Sequence, residues 1–155
     1  MTQLNTDTNR VFETPADSNA IPAAASAKIY QGALVSKTSA GYGRALKAGD
    51  IAVGFAKDSV DNTNGIDGEK ICELKAKGKV SLFISGITLA DMGRKVYASD
   101  DNTFTLTEAG NSAVGKLIRF EKSDYGIVAF DFLNADEEVN EALPENTPTT
   151  EEEGE

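Results

Sequence analysis

The densest set of oxygen donors in the sequence is Asp61-Asn62-Thr63-Asn64-Gly65-Ile66-Asp67-Gly68-Glu69. Six to eight oxygens on one centre are what a calcium ion needs. Aligned as an EF-hand loop, the run puts Cys72 at the twelfth position, where that site requires a bidentate glutamate. A looser site through Asp58, Asp61 and Asp67 is the remaining metal reading, and an exposed hairpin loop is the simpler one; no metal site is assigned. Nucleophilic chemistry has less to work with. The chain has no histidine, so Ser-His-Asp and Cys-His arrangements are excluded. Cys72, the one cysteine, lies in an apolar run and reads as a buried structural thiol. No Ser-x-x-Lys opens a helix, and the glycines of Ala40-Gly41-Tyr42-Gly43-Arg44 are not followed by the Gly-Lys-Ser/Thr of a phosphate loop. The chain reads as a protein without catalytic residues and without a cofactor.

Two further groups are candidates for binding. Lys75, Lys77 and Lys79 alternate across Gly78. No aromatic residues interleave them to stack on bases, so they read as a solvated strand edge, where lysines discourage unwanted strand pairing. In the polar stretch 1–27, Leu4, Arg10, Val11, Phe12 and Ile21 stand out as partner-contact candidates, because the segment around them is too polar to pack alone. Val11 and Phe12 are anchors that pack either on a partner or on the chain's own body.

These residues must be positioned by a scaffold, and the sequence describes one. Over residues 28–133 short apolar or alternating runs recur between Gly, Asn and Asp. Strands are expected at 27–30, 33–37, 43–46, 51–59, 70–74, 79–87, 95–98, 103–106, 114–121 and 125–133. In Lys79–Ile87 the apolar Val80, Leu82 and Ile84 alternate with Lys79, Ser81, Phe83 and Ser85, the period of a strand with one buried face. Turn signals fall between the strands: Ala40-Gly41, Ala48-Gly49-Asp50, Asn64-Gly65, Asp67-Gly68, Lys77-Gly78, Ser99–Asn102 and Ser123-Asp124. The expected fold is all-β, a small antiparallel β-barrel or sandwich body at 28–133, with an extended N-terminal arm at 1–27 and an acidic C-terminal tail at 134–155. A body of this size buries a working core without disulfides.

Charge separates these parts. The formal net charge is −10, and residues 134–155 hold nine acids and no base. Such a run stays solvated on its own, or docks on a basic surface, and it repels nucleic acid. No run of 18 apolar residues suggests a membrane span, and the first residues show no secretory signal.

One pattern is familiar. Ala76-Lys77-Gly78-Lys79-Val80 leads to Gly86-Ile87-Thr88, then Met92-Gly93-Arg94-Lys95-Val96-Tyr97-Ala98, Asp101-Asn102-Thr103-Phe104-Thr105-Leu106 and Val114-Gly115-Lys116-Leu117-Ile118. Upstream lie Tyr30-Gln31-Gly32-Ala33-Leu34-Val35 and Ala48-Gly49-Asp50-Ile51-Ala52-Val53-Gly54. Over residues 28–133 this order resembles the capsid decoration, or head cement, proteins of tailed bacteriophages. The resemblance implies a structural protein of the virion, made in the bacterial host cytoplasm and bound to the capsid exterior. Its partners would be the major capsid protein and further copies of itself, as a homotrimer or in some members a dimer, with no nucleic acid and no membrane. Extended arms in such a protein would add strands to a neighbour's sheet edge, and many weak contacts on one shell would sum to avidity. The alternative from another class is a carbohydrate- or surface-binding module, for which Tyr30, Tyr42, Tyr97 and Tyr125 would supply the aromatic platform.

Overall fold

The computed structural model describes residues 2–12 and 17–133. The described chain is nearly all β, a curled antiparallel sheet forming a half-barrel. Its strands are β1 (Asp17–Pro22), β2 (Lys28–Ile29), β3 (Leu34–Lys37), β4 (Gly43–Ala45), β5 (Ile51–Ala56), β6 (Val60–Asp61), β7 (Ile71–Phe83), β8 (Lys95–Asp100), β9 (Thr103–Thr105), β10 (Ser112–Lys122) and β11 (Tyr125–Asp131). The main sheet runs β4-β3-β5-β7-β11-β10-β8-β9, with β1 added to β7, and β2 pairs with β6 in a separate ribbon. Among the described residues the one helical element is a 3-10 turn at Leu89–Asp91, where the Thr88 backbone N–H donates to Asp91 Oδ2 at 2.8 Å.

The alternation that predicted strands runs further than expected. Lys77-Gly78 reads as a turn in sequence, yet β7 passes straight through it. Cys72, Leu74, Ala76, Val80 and Leu82 are all buried, so the even positions face inward on both sides of Gly78. Gly78 occupies the same parity without a side chain and pairs with Phe130 of β11. The uninterrupted period of two outweighs the turn tendency of Lys-Gly. β7 is consequently an interior strand, with β5, β1 and β11 as partners. The reading of Lys75, Lys77 and Lys79 as a strand edge is therefore corrected. Other differences are smaller. The strand expected at 51–59 ends at Ala56, and the chain bends before β6.

The extended arm expected over 1–27 is also revised. Residues 17–22 are β1, hydrogen-bonded along the first half of β7. Ile21 and Ala23 are buried. The acidic run 134–155 lies outside the described residues.

Two apolar clusters fill the interior. The larger gathers Leu34, Phe55, Val80, Leu82, Val128 and Phe130 with neighbours from β8 and β10. The smaller contains Ile21, Ile29, Val35, Cys72 and Leu74, with Leu4 packed against it. Apolar area removed from water at roughly 25 cal/mol per Å2 is the main force closing both.

Candidate functional site

The partner-contact candidates of the N-terminal segment come together, and they come together on their own body. The Leu4 backbone N–H donates to Asp101 Oδ1 at 3.0 Å. The Gln31 N–H donates to Asp7 Oδ1 at 3.0 Å, and the Thr8 N–H donates to the Gln31 carbonyl at 2.8 Å. Gly32 allows this approach: its φ is +86°, and a Cβ there would collide with the Thr8 carbonyl oxygen. Arg10 then crosses the sheet. Its Nε donates to the Gly32 carbonyl at 2.6 Å and its Nη2 to Asn102 Oδ1 at 2.9 Å. The guanidinium lies 5.3 Å from the Phe55 ring centre and 5.2 Å from that of Phe104, within range of a cation–π attraction.

Phe12 completes the seat. It forms an isolated antiparallel bridge to Val80, next to a hydrogen bond from the Ser81 N–H to the Val11 carbonyl at 2.9 Å. Its ring meets Phe55 and Phe130 edge-on, with centroids 6.3 and 6.1 Å away. Lys75 Nζ stands 4.1 Å from the Phe12 ring centre on a further side. Of the five candidates, Leu4, Arg10 and Phe12 are half-buried against the body and Ile21 is buried in β1. Val11 alone presents its side chain to solvent, at 63% exposure.

Asp101 is the residue that the sequence analysis missed here. It is 1% exposed, and burial pushes its carboxyl up to about 6, helped by neighbouring Asp100 and opposed by the Leu4 N–H and by Arg10. Burial also lowers Arg10, to about 10, so it stays cationic at neutral pH. The only local signal was the turn run Asp100-Asp101-Asn102, and that reads as solvent-exposed.

The oxygen-rich loop at 61–69 spends its carboxylates on hydrogen bonds within the loop and to the neighbouring Ala25 backbone. Asp61 Oδ1 accepts the Thr63 N–H at 3.1 Å and the Thr63 hydroxyl at 2.6 Å. Glu69 Oε1 accepts the Ile66 N–H, and Asp67 Oδ1 accepts the Ala25 N–H. Asn62 is buried, and its Nδ2 donates to the carbonyls of Ala24 and Ile66. Its Oδ1 is turned onto Gly65, where a Cβ would collide with it. Among the described residues no three Asp, Glu or Cys side chains cluster as metal ligands would. Cys72 is buried, and burial, then Asp58 and Glu73, raise its thiol to about 12, so it is a thiol and not a nucleophile at neutral pH.

The tyrosines do not share one setting. Tyr97 is 9% exposed in β8, Tyr125 packs edge-on to Phe83 at 5.3 Å, Tyr30 neighbours Lys28, and Tyr42 lies against Gly68. No family model matches this chain, and no curated protein matches it either.

Proposed function

We propose that this chain is a structural capsid decoration protein that binds the outer surface of a mature phage head and bridges major capsid subunits. The observation that supports this reading is where the resembling segments fall. Met92–Ala98, Asp101–Leu106 and Val114–Ile118 contribute to β8, β9 and β10, which pair as neighbours in one sheet. The motifs thus belong to a single structural unit and not to scattered loops. Exposed apolar side chains at Leu89 (64%), Met92 (46%) and Ile118 (37%) add contact surface of the kind protein interfaces use.

The geometry changes which residues should be tested. Phe12 belongs to the chain's own core, so a Phe12 substitution would mix folding with binding. Val11 is the residue of the N-terminal segment whose side chain is free to reach a neighbour. Purified protein is mixed with expanded, undecorated heads and with unexpanded proheads, then sedimented. Saturable binding to expanded heads at a fixed ratio to the major capsid protein is expected, with Val11→Ser weakening retention at an unchanged melting temperature. Absence of binding by folded protein would sink the reading and shift weight to a carbohydrate- or surface-binding module, which a glycan array then tests.

A further inference from the structure

An open groove of about 1250 Å3 runs over β5, β7, β11, β10 and β8, and its lining includes Lys77, Lys79, Lys95 and Lys116. Three of these lysines are in register across the sheet. Lys79 pairs with Ala129, Ala129 with Lys116, and Lys116 with Lys95. Directly opposed residues on neighbouring strands share a face, so the row reads Lys79, Ala129, Lys116, Lys95 across β7, β11, β10 and β8. Like charges directly opposite each other are destabilising. None of these three lysines is ion-paired to another described residue, whereas Lys77 beside them is paired to Asp131 at 3.8 Å. Two acids of the lining are already engaged, Asp50 by Arg44 and Asp131 by Lys77. Glu108 also lines the groove. A row of cations with no ion partner among the described residues makes the groove a receptor for carboxylates.

The chain carries a complementary segment joined at the rim of that groove. Asp131 and Phe132 are themselves lining residues, and the sequence that follows Leu133 contains nine acids and no base. We propose that the acidic segment 134–155 docks on the Lys79–Lys116–Lys95 row of its own body, its carboxylates serving as counter-ions to the lysines. The reach suffices. Asp131 pairs with Lys77 and the Phe132 N–H donates to the Ala76 carbonyl, so Leu133 lies four residues, about 13 Å, past Ala129 of the row. Eight extended residues span about 27 Å, so a chain that turns back brings Glu138 and Glu141 within range of the row. Covalent attachment supplies an effective concentration on the order of millimolar, which makes weak ionic contacts sufficient. A groove filled in this way is closed to nucleic acid and other polyanions.

The test uses the full chain with Asn146→Cys carrying a nitroxide spin label; Cys72 is buried and stays unlabelled. The proposal expects the amide resonances of Lys79, Lys95 and Lys116 to lose most of their intensity at low salt. They should regain it at about 1 M salt, where the Debye length is about 3 Å. The triple variant Lys79→Gln, Lys95→Gln, Lys116→Gln should abolish the loss. Should that variant not fold, Asp136→Asn, Glu137→Gln, Glu138→Gln and Glu141→Gln in the labelled chain test the same contact from the other side. No intensity loss, or a loss indifferent to salt and to these substitutions, overturns the proposal. A loss that appears when unlabelled 15N-protein is mixed with spin-labelled protein assigns the groove to a second copy and overturns docking within one chain.

Discussion

Two aspartate- and asparagine-rich turns look alike in this sequence and end in opposite environments. Asp61-Asn62-Thr63-Asn64 ends β6 with its aspartate at the surface, the Asp61 side chain 59% exposed, although Asn62 beside it is buried. Asp100-Asp101-Asn102 joins β8 to β9, and Asp101 is 1% exposed. In the first, hydrogen bonds from the Thr63 hydroxyl and N–H hold Asp61 below the usual carboxylate range. In the second, loss of water pushes Asp101 up to about 6. The difference comes from a remote piece of chain. Residues 2–12 fold over the β8–β9 turn, and Leu4, Arg10 and the Thr2 carbonyl all bond to Asp101 or Asn102. The richer cluster of oxygens is thus a self-capped loop, while the poorer one locks the N-terminal segment.

Arg10→Ala should break this comparison most severely. It removes the cation between Phe55 and Phe104 and both of the hydrogen bonds to Gly32 and Asn102. It also leaves Asp101 buried without its opposing charge. A cost of about 3 kcal/mol is expected, the sum of two charge-assisted hydrogen bonds at about 1.5 kcal/mol each. Chemical denaturation at pH 7 reads it, and a loss below about 1 kcal/mol would mean that the segment is not anchored there.

Asp101→Asn should have a smaller effect that depends on pH. The folded carboxyl titrates at about 6, against 3.8 for an unperturbed aspartate. The folded state therefore holds the proton more tightly than the unfolded state between those values. The contribution of Asp101 to stability is full below about 4 and is lost as pH rises through about 6. Asparagine retains an oxygen for the Leu4 N–H and does not titrate. Relative to the wild type, the variant should therefore gain stability as pH is raised from 4 to 7. Denaturant midpoints of both proteins across that range check the sign, and parallel curves would refute the burial of Asp101.

How much of this was legible follows from the same physics. The strands around Val80-Leu82 and Val128-Phe130 were readable because burial on one face imposes a period of two on the side chains. β1 was not, since Asp17 to Ala20 are all exposed and only Ile21 is buried. That strand is held by backbone hydrogen bonds to β7, which leave little mark on composition. Leu4, Arg10 and Phe12 were picked out as apolar or charged residues in a polar segment, but sequence could not say which surface they meet. Their partners Asp101, Phe55 and Val80 lie 45 or more residues away from Arg10, and no local pattern encodes such a pairing. The lysine row was hidden in the same way. Lys79, Lys95 and Lys116 come from three strands and line up only through the sheet register.

Asp61→Ala should have the smallest effect, and its smallness sharpens the contrast. The substitution removes two hydrogen bonds to Thr63 and a loose pairing with Lys28 at 4.0 Å. Both partners are exposed, so water replaces what is lost, and exposed ion pairs contribute little. Asn62, which stitches this loop to Ala24 and Ile66, is untouched. The melting temperature should stay within the scatter of the measurement, with and without added calcium. A clear drop, or a calcium-dependent rise abolished by Asp61→Ala, would show that the loop organises an ion, and the two turns would then differ in chemistry as well as in burial.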